Sequence, residues 1–369
     1  MAYYPYGLRI QNQLLKSIHM KNPRIFSNPA GNYFAEKLLK ELFDDGFKKI
    51  ETGIKSFANT EKKIGLLEKP EIGYACVVGC AQNWEHKKSI DENLADIYRT
   101  IEIADESGAK HISVIIPYLP YSRQDKSHFG NIETEFAIEG VSARYIPRHL
   151  KASGATDILT MDVHSQRSIM FAKDADIPLY DISSIPMFTK HIKTNYGSII
   201  ESNSVIISPD DGGIVTSKEC GEVLSLPVIL GNKIRDHSKE NVVVAVELPE
   251  DINVKGKYIF IFEDMIDTGG TLVATIKALE NLGVAGVYIV ATHPIFGGKA
   301  KESLGNQYSN GTGPLKKVFG SDSVYHSNNF AEQTPWFDEI SSAPIFAEAV
   351  RRIYNRKLLD GLVTKYSIV

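Results

Sequence analysis

Cysteine is scarce in this chain: three in 369 residues, at Cys76, Cys80 and Cys220. That excludes a disulfide-stapled secreted fold. Cys76 and Cys80 lie four apart in an apolar run, with too few ligands for a zinc site. They read as buried thiols suited to a reducing cytoplasm. Long apolar runs are also missing. None approaches the roughly 20 residues that span a bilayer, so no membrane partner is expected. The opening MAYYPYGLRIQNQLL has no uninterrupted apolar core followed by a small-residue cleavage site, and no secretory leader is expected. Nor is there an excess of positive charge: a net charge of -4 argues against a general nucleic-acid binder.

A chain of this length exceeds one small core, and two α/β domains are the natural partition. Three segments repeat one pattern, a helix ending near a glycine and then a β-rich strand: Ser107–Pro117, Ser153–His164 and Leu282–Pro294. Glycine there accepts the left-handed turn that returns the chain to a sheet. Before the first of them, Ile90, Leu94, Ile97, Ile101 and Ala104 recur every three or four residues, predicting one helix face packed on a sheet. The strands are continuous apolar runs, as expected when both sheet faces are covered. Strands alternating with helices imply doubly wound, mainly parallel sheets.

The Pro- and Ser-containing stretch DISSIPMF interrupts the alternation. It sets the expected domains at 1–182 and 183–369, two similar halves that point to duplication. A last helix over Ala343–Asn355 carries Ile345, Phe346, Ala349, Val350 and Ile353 on its buried side. It is expected to cover a sheet or a subunit contact within the second half.

The most informative stretch is YIFIFEDMIDTGGTL, Tyr258–Leu272. A strand of β-branched and aromatic residues carries the chain to the sheet edge where α/β proteins bind ligands. There Asp267, Thr268, Gly269, Gly270 and Thr271 offer backbone N–H groups at a helix N-terminus, where the dipole favours phosphate. Glu263 and Asp264 can accept hydrogen bonds from paired sugar hydroxyls. Such a loop holds a sugar phosphate by both ends.

Other strand-end loops carry weaker signals. In PYLPYSRQDK, Arg123 is a bidentate phosphate donor, Gln124 suits a base or phosphate, and Lys126 adds charge; a solvated loop is an equal reading. Asp162 and His164 are two apart at the end of an expected strand Ile158–His164. They would face one way and could hold Mg²⁺ or its water shell, against the alternative of a surface histidine. In Ser208–Gly213, Gly212 and Gly213 make a close turn beside Asp210. Lys233 and Arg235 are two apart in the polar segment Gly231–Asn241, read as flexible, where a solvated charge run is the ordinary alternative.

Taken in order, these motifs resemble the ribose-phosphate diphosphokinase family, of the type I phosphoribosyltransferase fold, over roughly Asn22 to Asn355. The resemblance implies an enzyme that transfers the β,γ-diphosphoryl group of MgATP to ribose 5-phosphate. It gives the first domain the ATP loops and the second the ribose 5-phosphate loop and the catalytic loop. Arg123, Gln124 and Asp125 would contact ATP, with His164 at the nucleotide and the metal. Asp162, His164 and Asp210 would serve Mg²⁺, and Asp210 also the ribose phosphate. Lys233 and Arg235 would be the catalytic cations.

SFANTE resembles the family's Phe-Ser-Asp-Gly-Glu segment, which reaches the adenine pocket of a neighbouring subunit. Phe57, Asn59 and Glu61 are thereby ATP-binding candidates, and a homo-oligomer (dimer or larger) is implied. Asn59, Thr60 and Glu263 depart from the family's Asp, Gly and Asp. The stretch 127–141 is longer than the family's connection, and the first twenty or so residues have no counterpart. Two other readings share parts of the pattern. A phosphoribosyltransferase that consumes the diphosphorylated sugar needs only the 263–271 loop. A catalytically silent regulatory paralogue would rest on Asn59 and Glu263.

Overall fold

The apolar runs of the first half line up as one parallel sheet. The computed structural model describes residues 20–67, 69–127, 139–209, 211–236, 242–249, 252–364 and 367. The expected insertion falls mostly outside these residues, as does nearly all of the N-terminal extension. In chain order the first half contains β1 (Arg24–Ser27), α1 (Asn32–Leu42), β2 (Lys48–Lys49), β3 (Thr52–Ser56), β4 (Lys62–Leu66) and β5 (Tyr74–Val78). There follow α2 (Ile90–Glu106), β6 (His111–Ile115), α3 (Ser142–Ala152), β7 (Asp157–Met161), α4 (Arg167–Asp174) and β8 (Leu179–Ile182). The sheet order is β2-β1-β5-β6-β7-β8, while β3 and β4 form a separate antiparallel hairpin.

Alternation along each strand builds two cores. Ala75 and Val77 join Leu94, Ile97 and Ile101 of α2 on one face. Tyr74, Cys76 and Val78 join Phe34 and Leu38 of α1 on the other. Helix α2 starts where a capping box dictates: Ser89 accepts from the Glu92 amide, and the Glu92 carboxylate accepts from the Ser89 amide. All three repeat glycines, Gly108, Gly154 and Gly283, take positive φ at helix ends. The three cysteines are buried thiols outside any disulfide.

The second half repeats the plan with α5 (Ile185–Asn203), β9 (Ser204–Ser208), α6 (Ile214–Leu224), β10 (Val228–Leu230), β11 (Asn232–Asp236), β12 (Val242–Glu247) and β13 (Tyr258–Ile266). It continues with α7 (Gly270–Asn281), β14 (Gly286–Pro294), α8 (Ala300–Tyr308), β15 (Leu315–Ser321), α9 (Phe330–Gln333) and β16 (Phe337–Ile340). Its parallel sheet runs β10-β9-β13-β14-β15-β16, the order of the first sheet, and it too has an antiparallel hairpin, β11–β12, between its second and third strands. Ile259 and Ile261 face one core and Phe260 and Phe262 the other.

One expectation is corrected. The chain divides between Ile182 and Ser183 and again between Ser342 and Ala343, so the last helix, α10 (Ala343–Tyr354), belongs with the first unit. Phe346, Ala347, Ala349 and Val350 are buried in the core beneath α1. Phe346 meets Phe34 edge to face at 5.6 Å, and Arg351 Nε donates to Asp45 Oδ2 at 2.9 Å. Burying Phe346 and Val350 contributes roughly 1.5–3 kcal/mol each. The duplication supplies the reason. Ile340-Ser-Ser-Ala-Pro-Ile-Phe346 repeats Ile182-Ser-Ser-Ile-Pro-Met-Phe188, so α10 is the counterpart of α5, which packs on the second sheet through Phe188 and Ile192.

Candidate active site

In a sheet of this order the topological switch lies between β9 and β13, and ligands of α/β proteins bind outside the carboxyl ends of strands at that point. Both loops flanking it are sequence-predicted site segments. Strand β13 runs through Glu263 and Asp264, both partly exposed, and Asp264 Oδ1 accepts from the Met265 amide at 2.8 Å. The chain then turns into α7 at Gly269, whose φ of 72° is a conformation natural to glycine. No side chain caps α7. Its first helical bond is Val273 N to Gly269 O at 2.9 Å, which leaves the amides ahead of Val273 without helical acceptors. On the other flank β9 ends at Ser208. Asp210 lies outside the described residues, and Asp211–Gly213 forms a 3₁₀ turn.

A segment not singled out from sequence braces this loop. Phe296 N donates to Ile266 O at 2.9 Å. A Cβ on Gly297 would stand 2.5 Å from Asp267 Oδ1, so any larger residue there would displace the Asp267 carboxylate. His326 ties the start of the brace through Nε2 to Pro294 O at 2.7 Å and stacks on Phe330. The paired glycines just past strand β14, Gly297 and Gly298, were the available signal.

Lys233 and Arg235 lie on β11, paired with β12 rather than in an open loop. Lys233 stands opposite Val246 and Arg235 opposite Val243, with a register shift between Ile234 and Arg235. Strand β12 runs against α7, so the hairpin accompanies the helix that starts at the Thr-Gly-Gly-Thr turn. His237–Asn241, the rest of the expected flexible segment, lies outside the described residues.

In the first unit the switch-point loops are filled. Asn28 Oδ1 accepts from the amides of Gly31 (2.9 Å) and Cys80 (3.1 Å), and Asn28 Nδ2 donates to Cys80 O. Asn83 and Asn93 tie the same loops through Ala30 O and Ala81 O. The predicted nucleotide residues stand at the next strands instead. Arg123 and Gln124 are exposed beyond β6. Asp125 Oδ2 accepts from Ser165 Oγ at 2.6 Å and lies 3.9 Å from Arg167 Nε, bringing the Arg-Gln-Asp loop against the turn that carries His164.

That turn departs from expectation. Strand β7 ends at Met161 and Asp162 has φ 38°, so strand alternation does not align Asp162 with His164. A left-handed non-glycine residue costs about 1–2 kcal/mol. Here it is held from β8: Asp162 N donates to Ile182 O at 3.1 Å and Val163 N to Asp181 Oδ1 at 3.0 Å. Burial, and secondarily the Asp162 carboxylate, push the Asp181 carboxyl well above the usual carboxylate range.

Phe57, Asn59 and Glu61 occupy the tip of the β3–β4 hairpin, with Phe57 47% exposed. Phe57 N donates to Glu61 O at 2.8 Å and Thr60 N to Phe57 O at 3.0 Å. Asn59 Oδ1 accepts from the Glu61 amide at 3.2 Å, a bond an aspartate would make equally well, so the substitution keeps the turn and drops a charge. Thr60 has φ 72°, the conformation for which the resembling motif uses glycine. Thr60→Gly is expected to stabilise the tip by about 0.5–1 kcal/mol, slowing hydrogen exchange of the Phe57 and Thr60 amides. Unchanged exchange would show that the turn carries no such strain.

Among the described residues no three His, Cys, Asp or Glu side chains come together as a metal cluster. No helix among the described residues is long and apolar enough to cross a membrane.

Residues 23–154 match the N-terminal domain of ribose phosphate pyrophosphokinase, and residues 180–309 the phosphoribosyl transferase domain. A ribose-phosphate pyrophosphokinase of Thermosipho africanus is 31% identical over 264 residues, 72% of this chain and 75% of that protein. The chain belongs to the ribose-phosphate pyrophosphokinase family. The Aquifex aeolicus ribose-phosphate pyrophosphokinase is 26% identical across 94% of this chain and all of its own length. The crystal structure of phosphoribosylpyrophosphate synthetase from Mycobacterium smegmatis covers 91% of this chain and all of its own. It superposes with a TM-score of 0.75 at 25% identity. The two-sheet architecture is thus the family's own.

Proposed function

We propose that this enzyme transfers the β,γ-diphosphoryl group of MgATP to the anomeric hydroxyl of ribose 5-phosphate, releasing phosphoribosyl diphosphate and AMP. The observation that carries the reading is the uncapped N-terminus of α7 at the switch point of the second sheet, beside two carboxylates. Its amides, Asp267 to Thr271, receive the 5-phosphate, and Glu263 and Asp264 hold the ribose hydroxyls. Arg123 and Gln124 bind the nucleotide and Asp125 braces their loop. Asp162, His164 and Asp210 are the residues that would serve Mg²⁺, which would offset the negative charge of the phosphates. The sugar hydroxyl attacks the β-phosphorus in line and AMP leaves. Lys233 and Arg235 stabilise the charge that develops on the transferring group. Positioning and electrostatics supply the catalysis, and no covalent intermediate is required.

The exposed Phe57 offers an aromatic face to the adenine bound by a second copy of the chain, which makes the active form a homo-oligomer. Three buried thiols, none in a disulfide, suit a cytoplasmic location. Phosphorus NMR of the products of MgATP and ribose 5-phosphate tests the reaction. A diphosphate on the anomeric carbon with AMP supports it, whereas ADP with a singly phosphorylated anomeric carbon overturns it. Gly297→Ala, which drives a methyl against Asp267, is expected to raise KM for ribose 5-phosphate roughly tenfold and leave KM for MgATP within about a factor of two. Equal changes in both constants would contradict the placement of the sugar phosphate.

A further inference from the structure

The buried carboxylate of Asp181 (3% exposed) has no role in the reaction as derived, yet it holds one. Its Oδ1 accepts from the Val163 amide, between Asp162 and His164, and its Oδ2 accepts from Thr364 Oγ1 at 2.9 Å. Thr364 comes from the C-terminal segment. That segment lies along β8, the edge of the first sheet, through an antiparallel bridge between Val363 and Ile182. Thr364 N donates to Asp181 O at 2.8 Å. The Asp181 amide donates to Ser367 Oγ at 2.9 Å, and that hydroxyl lies 3.2 Å from Asp181 O. Leu359 and its partly buried neighbours Leu362 and Val363 seat the segment on the core beside Met161 and Ile182.

Sealing a sheet edge needs backbone bonds alone. Here two hydroxyls converge on one residue, whose carboxylate in turn grips a turn containing a left-handed Asp162. The internal duplication provides a control. Glu339 holds the same place before Ile340 that Asp181 holds before Ile182, and it is exposed. A buried acid at this strand position is thus particular to the sheet that bears His164; in the second sheet the buried acid is Asp322, after β15, which accepts from the Ser341 and Ser342 hydroxyls.

We infer that Asp181 is a positioning residue for the Asp162–His164 turn and that Thr364 and Ser367 lock it in place, making the C-terminal segment part of the nucleotide site. The inference rests on the assignment of His164 to MgATP. In the full-length protein, Thr364→Val combined with Ser367→Ala is expected to raise KM for MgATP about five- to tenfold, the worth of one or two hydrogen bonds. KM for ribose 5-phosphate should stay within about a factor of two. Thr364→Ser, which keeps the hydroxyl, should retain the original constant. A lowered melting temperature with KM for MgATP unchanged would reduce the segment to an edge seal and overturn the inference. His164→Ala, measured alongside, separates the two levels. If it raises KM for MgATP while the double variant does not, only the positioning role fails. If it leaves KM unchanged, the nucleotide assignment fails and the inference falls with it.

Discussion

Replacing Lys233 by alanine is expected to lower turnover roughly 10²–10³-fold while ribose 5-phosphate binding stays within about a factor of two. In diphosphoryl transfer little covalent chemistry is left for side chains, so the barrier falls mainly through charges placed where negative charge develops. Removing one such charge costs about 3–4 kcal/mol of transition-state stabilisation. The bound sugar does not yet carry that charge, so its affinity is spared. The hairpin β11–β12 is a backbone-paired element lying against α7, and alanine in a strand leaves its ladder intact, so the melting temperature should hold. Full turnover by Lys233→Ala would remove the electrostatic account. An equal loss of sugar binding would mean that Lys233 acts on the ground state.

Acidification from pH 7 to 4.5 is expected to weaken the second unit by roughly 2 kcal/mol through His326 alone. Burial pushes its imidazole down to about 4, with Lys301 adding to the shift and the bond to Pro294 O opposing it. The folded value lies below the ordinary value of about 6.5, so the unfolded chain binds the proton first. The stability is fully present above the unfolded value and is lost as pH falls toward the folded one. Because His326 anchors Pro294, at the head of the segment that Gly297 presses on Asp267, ribose 5-phosphate affinity should weaken over the same window. Denaturant unfolding at both pH values, compared between the parent and His326→Gln, isolates the contribution of this group. The variant should show the smaller loss. Identical losses would assign the acid sensitivity to other groups.

The second unit's candidate site could be proposed from sequence because its chemistry is local. A strand, two acids and a Thr-Gly-Gly-Thr turn define a phosphate cradle by their order alone, and the fold puts that order at the switch point. Continuous apolar runs disclosed the parallel sheets for the same reason: both faces of each strand are buried. What sequence hid was tertiary. The apolar face of Ala343–Tyr354 fits either sheet, and only the repeat of Ile-Ser-Ser-x-Pro-x-Phe marks it as the counterpart of the helix after Ile182. The turn at Asp162 looked like strand because a left-handed aspartate has no sequence signature when its holding partners, Asp181 and Ile182, lie on the next strand. Gly231–Asn241 read as a polar loop, since its strand partner Val242–Glu247 was not paired with it. The Asn28 network was equally invisible: in the first sheet side-chain amides fill the loops that correspond to the proposed sugar-phosphate cradle of the second.

The most direct test is AMP formation by the purified chain from MgATP, with ribose 5-phosphate present and absent. The account predicts AMP that depends on the sugar and accumulates one for one with phosphoribosyl diphosphate. A folded protein that binds ribose 5-phosphate yet forms no AMP in its presence would contradict it and leave a sugar-phosphate binding protein in place of the enzyme.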